Sequence, residues 1–189
     1  MKASDLPNLI SLLRIAFVVP VIFCLLEDLY GWALSLFLVA GASDGLDGCL
    51  ARCFGWTSRL GAILDPLGDK LLMVAVFLVL SSKGFLPWWL VSLVILRDVI
   101  IVIGAISYQT LVAKVEMQPL RVSKLNTGLQ ILLVLVVLYN LAAVGPVLPG
   151  MVSQILIYAV LITTVASGVA YVVGWGRRAQ KAVNRGESI

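Results

Sequence analysis

The sequence contains no histidine and few charged residues. Only 13% of its 189 residues are Asp, Glu, Lys or Arg. The missing imidazole excludes Ser–His and Cys–His catalysis, phosphohistidine chemistry and His-ligated zinc or haem. The three cysteines have no CxxC spacing, so neither a disulfide framework nor a cysteine zinc site is expected. A metal site in this chain must therefore use oxygen ligands.

Apolar residues, by contrast, are abundant. They make up 61% of the chain, whereas a soluble domain is about half apolar. The sequence therefore predicts an all-α integral membrane protein. Turn and charge signals divide it into six transmembrane helices, at about 8–26, 32–53, 58–80, 88–111, 124–144 and 151–175. Pro66, inside the third span, is expected to kink that helix or to mark its beginning.

The basic residues indicate the topology. Ten of them fall on one side of the predicted membrane, and Lys83 falls alone on the other, beside Glu27 and Asp28. This asymmetry predicts that both termini are cytoplasmic. It also explains the net charge of +4 without a nucleic-acid partner. The ten residues are Lys2, Arg52, Arg59, Lys114, Arg121, Lys124, Arg177, Arg178, Lys181 and Arg185.

We expect one membrane domain over residues 1–189. The domain begins with a short interfacial segment, 1–7, and ends with a basic tail, 176–189. Disorder is the expected state of the tail, with binding to anionic lipid as the alternative. No organelle-targeting leader is evident, which favours a bacterial inner membrane with a site facing the cytoplasm.

Four aspartates lie where the second and third spans approach the cytoplasmic face. Asp44 and Asp47 are spaced i,i+3, and Asp65 and Asp69 are spaced i,i+4, so each pair shares one helical face. A carboxylate at the centre of a membrane helix costs roughly 2.5–3.5 kcal/mol on the insertion scale. Bound cations or water must offset that cost for all four carboxylates.

Two readings are open for these carboxylates. Two antiparallel helices that each offer a carboxylate pair can bind hard cations such as Mg²⁺, Mn²⁺ or Ca²⁺. Two such ions would suit an in-line displacement at phosphorus. Alternatively, the aspartates form buried salt bridges with basic residues, namely Arg14, Arg52, Arg59, Lys70 and Arg97. The adjacent Arg97 and Asp98 are likewise either a structural ion pair or a substrate contact.

The spacing of these residues resembles a known signature. The chain from Asp44 to Asp69 matches DxxDGxxARx8GxxxDxxxD at every fixed position, which is the pattern of the CDP-alcohol phosphotransferase family. The resemblance extends over nearly the whole chain and includes Asn8, Ser11 and Arg14 in the first span. Ser11 is a mild departure, because the family often has Thr there.

The resemblance implies a reaction and assigns roles. An acceptor hydroxyl would attack the β-phosphorus of a CDP-linked lipid, and CMP would leave. Asp44, Asp47, Asp65 and Asp69 would bind two divalent cations, Mg²⁺ or Mn²⁺. Asp69 would also be the catalytic base. The CDP moiety would be held by four residues, Asn8, Gly48, Arg52 and Gly61. The resemblance also implies a homodimer.

Two further segments resemble the cardiolipin synthase branch of the family. They are 96–99 and 119–130, and the branch uses CDP-diacylglycerol and phosphatidylglycerol. Phosphatidylglycerophosphate synthases, which use glycerol 3-phosphate, tend to carry a Lys-x-Lys-Thr motif where this chain has Asn126 in place of the second Lys. A phosphomonoester would need more positive charge than a diester, so the substitution favours phosphatidylglycerol. Arg97, Arg121 and Lys124 are candidates for holding the acceptor phosphate.

Two function classes outside this family are also considered. The same carboxylates could line the pathway of a divalent-cation transporter, although Arg52 beside them would repel a permeating cation. A structural membrane scaffold is disfavoured by the cost of four embedded carboxylates.

Overall fold

The computed structural model describes the backbone of residues 6–54, 61–111, 121–143 and 148–184. It describes side chains over 16–43, 70–103, 122–143 and 148–174. These parts of the chain form six helices and contain no strand. The helices are α1 (Leu6–Leu26), α2 (Tyr30–Phe54), α3 (Gly61–Ser82), α4 (Trp88–Leu111), α5 (Arg121–Ala142) and α6 (Gly150–Asn184).

The all-helical prediction is confirmed, and each observed helix corresponds to one predicted span. Two stretches of the described chain are long and apolar enough to cross a membrane, Val122–Ala142 and Gly150–Gly174. Large apolar side chains lie exposed along every helix, for example Val19 on α1 and Ile162 on α6. Such surfaces suit contact with lipid. Six spans and cytoplasmic termini stay predictions.

The last helix differs from its prediction. α6 continues to Asn184, about nine residues past the predicted end of the span. The expectation of a disordered tail is therefore wrong for residues 176–184. A charged run ends an apolar stretch without ending a helix, because Arg, Lys, Ala and Gln are good helix formers. In α3, Pro66 lies within the first two turns of the helix.

Helices α1 and α3 end in the same way. In each, the second residue after the helix adopts a left-handed conformation, with φ of 59° at Asp28 and 81° at Gly84. The next amide then donates back to a carbonyl in the last turn, from Leu29 to Cys24 at 2.8 Å and from Phe85 to Leu80 at 2.9 Å. This is the Schellman arrangement, which satisfies carbonyls that the helix itself leaves without partners.

Lys83 links these two helix ends. Its ammonium donates to the Leu26 carbonyl at 2.9 Å and to the Asp28 carboxylate. The Tyr30 hydroxyl also donates to Asp28, at 2.5 Å, and the Tyr30 ring meets the edge of Phe85. The hydrogen bonds from Lys83 and then Tyr30 lower the pKa of Asp28. Desolvation, followed by the bond to Asp28, raises the pKa of Tyr30 to about 12.

The chain divides into two compact units. The first comprises Met1–Leu86 and Val134–Gly150, and in it α1 packs against both α2 and α3. Its core is apolar and fully buried at positions such as Val21, Leu25 and Phe77.

The second unit comprises Pro87–Leu133 and Met151–Ile189. Its core combines apolar side chains such as Leu90 and Val160 with a set of buried polar side chains. The polar set is Arg97, Asn126, Gln130, Thr164 and Ser167.

Candidate functional site

The four signature aspartates lie on two helices of the first unit. Asp44 and Asp47 are in the C-terminal half of α2, and Asp65 and Asp69 are in the N-terminal half of α3. Both pairs are fully within helix, so the spacings i,i+3 and i,i+4 place each pair on one face. Their side chains lie outside the part of the chain whose side chains are described.

The residues implied to hold the CDP moiety lie on α2 and α3 and on a third helix, α1. Asn8 is in the first turn of α1, Gly48 and Arg52 follow the aspartates on α2, and Gly61 begins α3. Since α1 packs against both α2 and α3, one helix is the common neighbour of the two that carry the signature. The side chains of Asn8 and Arg52 also fall outside the described set, so their roles stay predictions.

The donor set on α2 and α3 fits a hard divalent cation. It consists of carboxylate oxygens, with no imidazole anywhere in the chain, which is the ligand chemistry that Mg²⁺ and Mn²⁺ prefer. Among the side chains that are described, no group of three or more His, Cys, Asp or Glu occurs. The four aspartates are not among those side chains.

The best-described polar site surrounds Arg97 in the second unit. Arg97 is 5% exposed, and its Nη1 donates to Asp98 at 2.6 Å. Its Nη2 donates to Ser123 of α5 at 2.5 Å and to Ser167 of α6 at 2.6 Å, and its Nε reaches Ser167 at 3.2 Å. Four of the five guanidinium hydrogens are thus engaged by described groups. The guanidinium thereby connects three helices and is held in one orientation.

The other two predicted acceptor contacts lie at the beginning of α5. Arg121 is its first residue, with a side chain outside the described range, and Lys124 is exposed in the first turn. Ser123, between them, is the residue that accepts from Arg97. The structure therefore brings Arg97 to the turn that carries Arg121 and Lys124.

The sequence allowed an ion pair between Arg97 and Asp98 as one of two readings, and the structure shows that pair. The sequence reasoning missed the partners of Arg97 on the other helices. Ser167 is fully buried, and the Tyr171 ring lies 6.0 Å from the guanidinium carbon. A signal was present, because Thr163, Ser167 and Tyr171 recur at i, i+4 and i+8 along an otherwise apolar span. That spacing places three polar side chains on one helical face.

A second polar contact joins α5 to α6. The Asn126 side-chain oxygen accepts from the hydroxyls of Thr163 at 2.8 Å and Thr164 at 2.9 Å. Asn126 is fully buried, and its amide nitrogen has no partner among the described groups. The residue that distinguishes this chain from the Lys-x-Lys-Thr pattern is thus part of the interior of the second unit.

Comparison with known proteins identifies the family. The profile of the CDP-alcohol phosphatidyltransferase family matches residues 4–166. A Schizosaccharomyces pombe protein named cardiolipin synthase (CMP-forming) / mitochondrial hydrolase fusion protein is 35% identical over 184 residues, covering 88% of this chain and 30% of its own length. A chloroplastic CDP-diacylglycerol–glycerol-3-phosphate 3-phosphatidyltransferase 1 of Oryza sativa subsp. japonica is 33% identical, covering 88% of this chain and 56% of its own.

This chain covers a larger share of the length of a third relative. The probable phosphatidylglycerophosphate synthase of Mycobacterium tuberculosis is 32% identical over 183 residues, which are 90% of this chain and 81% of the relative. The chain spans less than two thirds of the length of the first two relatives. Over most of its residues, and as the aspartate signature predicted, this chain belongs to the CDP-alcohol phosphatidyltransferase family.

Proposed function

We propose that this chain is a phosphatidyltransferase of phospholipid synthesis that makes cardiolipin from CDP-diacylglycerol and phosphatidylglycerol. The free hydroxyl of phosphatidylglycerol attacks the β-phosphorus of CDP-diacylglycerol. A new phosphodiester forms, the bond between that phosphorus and CMP breaks, and CMP leaves with the bonding electrons. The observation that carries the proposal is the aspartate signature, in helical register on two helices that pack on the same partner, α1.

Each signature residue has a task in this reaction. Asp44, Asp47, Asp65 and Asp69 hold two divalent cations, Mg²⁺ or Mn²⁺, and members of this family generally use divalent metals. When bound, the cations neutralise negative charge on the phosphoryl oxygens.

Asp69 takes the proton from the acceptor hydroxyl as general base. The CDP moiety is bound by the remaining signature positions and by the first turn of α1, that is by Gly48, Arg52, Gly61 and Asn8. An arginine suits this task because its planar guanidinium can donate two parallel hydrogen bonds to phosphate oxygens.

The acceptor is held in this proposal by Arg97, Arg121 and Lys124. The Asp98 carboxylate and the Ser123 and Ser167 hydroxyls fix the Arg97 guanidinium, so little conformational entropy is lost when a phosphate binds. One guanidinium hydrogen and the exposed Lys124 ammonium suit a diester, which carries a single negative charge.

The second candidate is phosphatidylglycerophosphate synthase, with glycerol 3-phosphate as acceptor. The names of the rice and mycobacterial relatives favour it. The neutral, buried Asn126 in place of a second lysine favours the cardiolipin reaction, because a phosphomonoester is more highly charged.

The enzyme would lie in the membrane with six spans and both termini on the cytoplasmic side, in a bacterial inner membrane and as a homodimer. The exposed tryptophans at the beginnings of α2 and α4 suit such an arrangement, since aromatic residues favour the membrane–water boundary. They are Trp32, Trp88 and Trp89.

Asp69→Asn tests the mechanism. The variant should release no CMP from CDP-diacylglycerol while still binding that lipid, because it loses the base but only one of the carboxylates around the cations. Asp28→Asn is the matched control, as an exposed aspartate outside the signature, and it should turn over at the wild-type rate. Full activity of Asp69→Asn would refute the assignment. Divalent-cation uptake into liposomes that persists in this variant would favour the transporter instead.

A further inference from the structure

The first turn of α5 has little in its own sequence to hold it in a helix. Arg121 begins the helix, Lys124 lies exposed in the same turn, and the turn contains no acidic residue. Cations are unfavourable at this end of a helix, because the helix dipole places partial positive charge there. Leu120, which precedes the helix in the sequence, has no side-chain oxygen to accept from the first amides. The turn therefore needs support from elsewhere in the fold.

Ser123, within this turn, supplies that support. Its hydroxyl accepts a hydrogen bond from Nη2 of Arg97, on α4, at 2.5 Å. The same Nη2 donates to Ser167 of α6 at 2.6 Å, and Nη1 donates to the Asp98 carboxylate at 2.6 Å. Ser123 thus ties the beginning of α5 to a guanidinium that is itself held by α4 and α6.

The bond between Arg97 and Ser123 is suited to holding a helix end. Its donor is a charged guanidinium, and hydrogen bonds from charged groups are stronger than those between neutral groups. Arg97 is buried and Ser123 is half-buried, so water competes only partly for the bond. An arginine also keeps its proton at any pH at which the enzyme works. The tether is therefore permanent in charge and partly shielded.

We infer that Ser123 is a positioning residue for acceptor binding, because it holds the turn in which Arg121 and Lys124 lie. The inference rests on the proposed function, which takes those two cations as contacts of the acceptor phosphate. Ser123 acts through the helix backbone and needs no contact with substrate. A phosphate bound there favours the same helical turn, since anions are favourable at a helix N-terminus. The tether and the acceptor therefore stabilise one conformation.

This coupling sets the size of the expected effect. When only a fraction of the molecules has the turn formed, the apparent dissociation constant of the acceptor rises by the inverse of that fraction. One hydrogen bond to a charged group changes such an equilibrium by about tenfold. Loss of the Ser123 hydroxyl should therefore weaken acceptor binding by up to about tenfold. Binding of the CDP-lipid should not change, because its proposed contacts lie on α1, α2 and α3.

Hydrogen exchange tests the tether without requiring turnover. In an α-helix the amides of residues 125–128 donate to the carbonyls of residues 121–124, so their exchange reports whether the first turn of α5 is formed. The full-length protein is measured in phosphatidylcholine nanodiscs, as wild type and as Ser123→Ala. Exchange at 125–128 should be several-fold, up to about tenfold, faster in Ser123→Ala. Unchanged exchange there would overturn the inference.

Three further variants complete the exchange experiment. Val122→Ala shortens an exposed side chain of the same turn and removes no hydrogen bond, so it should exchange as wild type does. Ser123→Thr keeps the hydroxyl and should also match wild type. Ser123→Cys offers a weaker acceptor and should lie between wild type and Ser123→Ala, which keeps the test available if the alanine variant does not fold. Exchange in Val122→Ala as fast as in Ser123→Ala would overturn the inference.

Kinetics test the consequence for the acceptor. In Ser123→Ala the KM for phosphatidylglycerol should rise several-fold, up to about tenfold, whereas kcat and the KM for CDP-diacylglycerol should stay as in wild type. Ser123→Thr should restore the wild-type KM. An unchanged KM in Ser123→Ala would overturn the inference. A fall in kcat with no change in KM would do the same, because a general loss of structure acts in that way.

The two measurements separate this inference from the proposed function. If the wild type transfers only to glycerol 3-phosphate, the proposed function fails, and Ser123→Ala should then raise the KM for that acceptor, whose phosphate meets the same two cations. Turnover with phosphatidylglycerol, together with unchanged exchange at 125–128 in Ser123→Ala, would remove the tether and leave the reaction.

Discussion

Replacing Ser167 by alanine should destabilise the second unit by about 3 kcal/mol. The Ser167 hydroxyl accepts two hydrogen bonds from Arg97, at 2.6 Å and 3.2 Å, and the residue is fully buried. Hydrogen bonds to charged groups contribute about 1.5–3 kcal/mol each, and two that end on one oxygen are not fully additive. Water cannot replace the lost oxygen, so the variant leaves a buried guanidinium partly without acceptors.

The measurement is thermal unfolding of the full chain in lipid nanodiscs. For a chain of this size, 1 kcal/mol shifts the Tm by about 2–4 °C, so Ser167→Ala should lower it by about 6–12 °C. Ser153→Ala is the matched control, since Ser153 is a half-buried serine on the same helix, outside the Arg97 cluster. The reasoning fails if Ser167→Ala melts at the same temperature as Ser153→Ala.

Four further predictions concern other parts of the molecule. Because hydrogen bonds lower the pKa of Asp28, its contribution to stability is present above about pH 4 and is lost as the pH falls through the lowered pKa, so the Tm difference between wild type and Asp28→Asn should shrink as the pH is lowered below about 4. The raised pKa of Tyr30, about 12, predicts that its contribution disappears as the pH rises from about 10 to about 12, whereas Tyr30→Phe should show no such loss. Gly84→Ala should destabilise the chain by about 1–2 kcal/mol, because φ there is 81°, whereas Gly128→Ala in the interior of α5 should stabilise it by up to about 1 kcal/mol. Activity should disappear with EDTA and return with Mg²⁺ or Mn²⁺, and activity that survives exhaustive chelation would exclude the metal-dependent mechanism.

Helix positions could be predicted well from the sequence because turn chemistry and apolar length both mark them. The fourth predicted span has the same bounds as α4, which is preceded by Pro87 and a left-handed Gly84. The end of α6 could not be predicted in this way. Hydropathy marks where a chain leaves the apolar layer, whereas a helix can continue beyond that layer, and α6 is helical through Asn184.

The aspartate signature and the surroundings of Arg97 differed in how much the sequence could predict. The aspartates, together with their spacing, are a local pattern, and that pattern was enough to identify the family. The surroundings of Arg97 are non-local. Ser123 and Ser167 lie 26 and 70 residues away in the chain. The local sequence around a serine in an apolar span does not indicate which distant residue it will contact.

The same limit applies to the apolar groove between α4 and α6. Its walls are ordinary leucine, isoleucine and valine side chains of α4 and α6. Their periodicity predicts apolar helices, and only the fold shows that they leave a groove between them. Asn126 is a second example. The sequence shows only that it replaces the second lysine of the Lys-x-Lys-Thr motif, whereas the structure shows that its side-chain oxygen accepts hydrogen bonds from two threonines.

A two-acceptor assay tests the central claim most directly. Purified full-length protein in vesicles is given radiolabelled CDP-diacylglycerol, a divalent cation, and either phosphatidylglycerol or glycerol 3-phosphate. The proposed function predicts labelled cardiolipin and one CMP per cardiolipin with phosphatidylglycerol, and no lipid product with glycerol 3-phosphate. Labelled phosphatidylglycerophosphate from glycerol 3-phosphate, with no cardiolipin from phosphatidylglycerol, would contradict it.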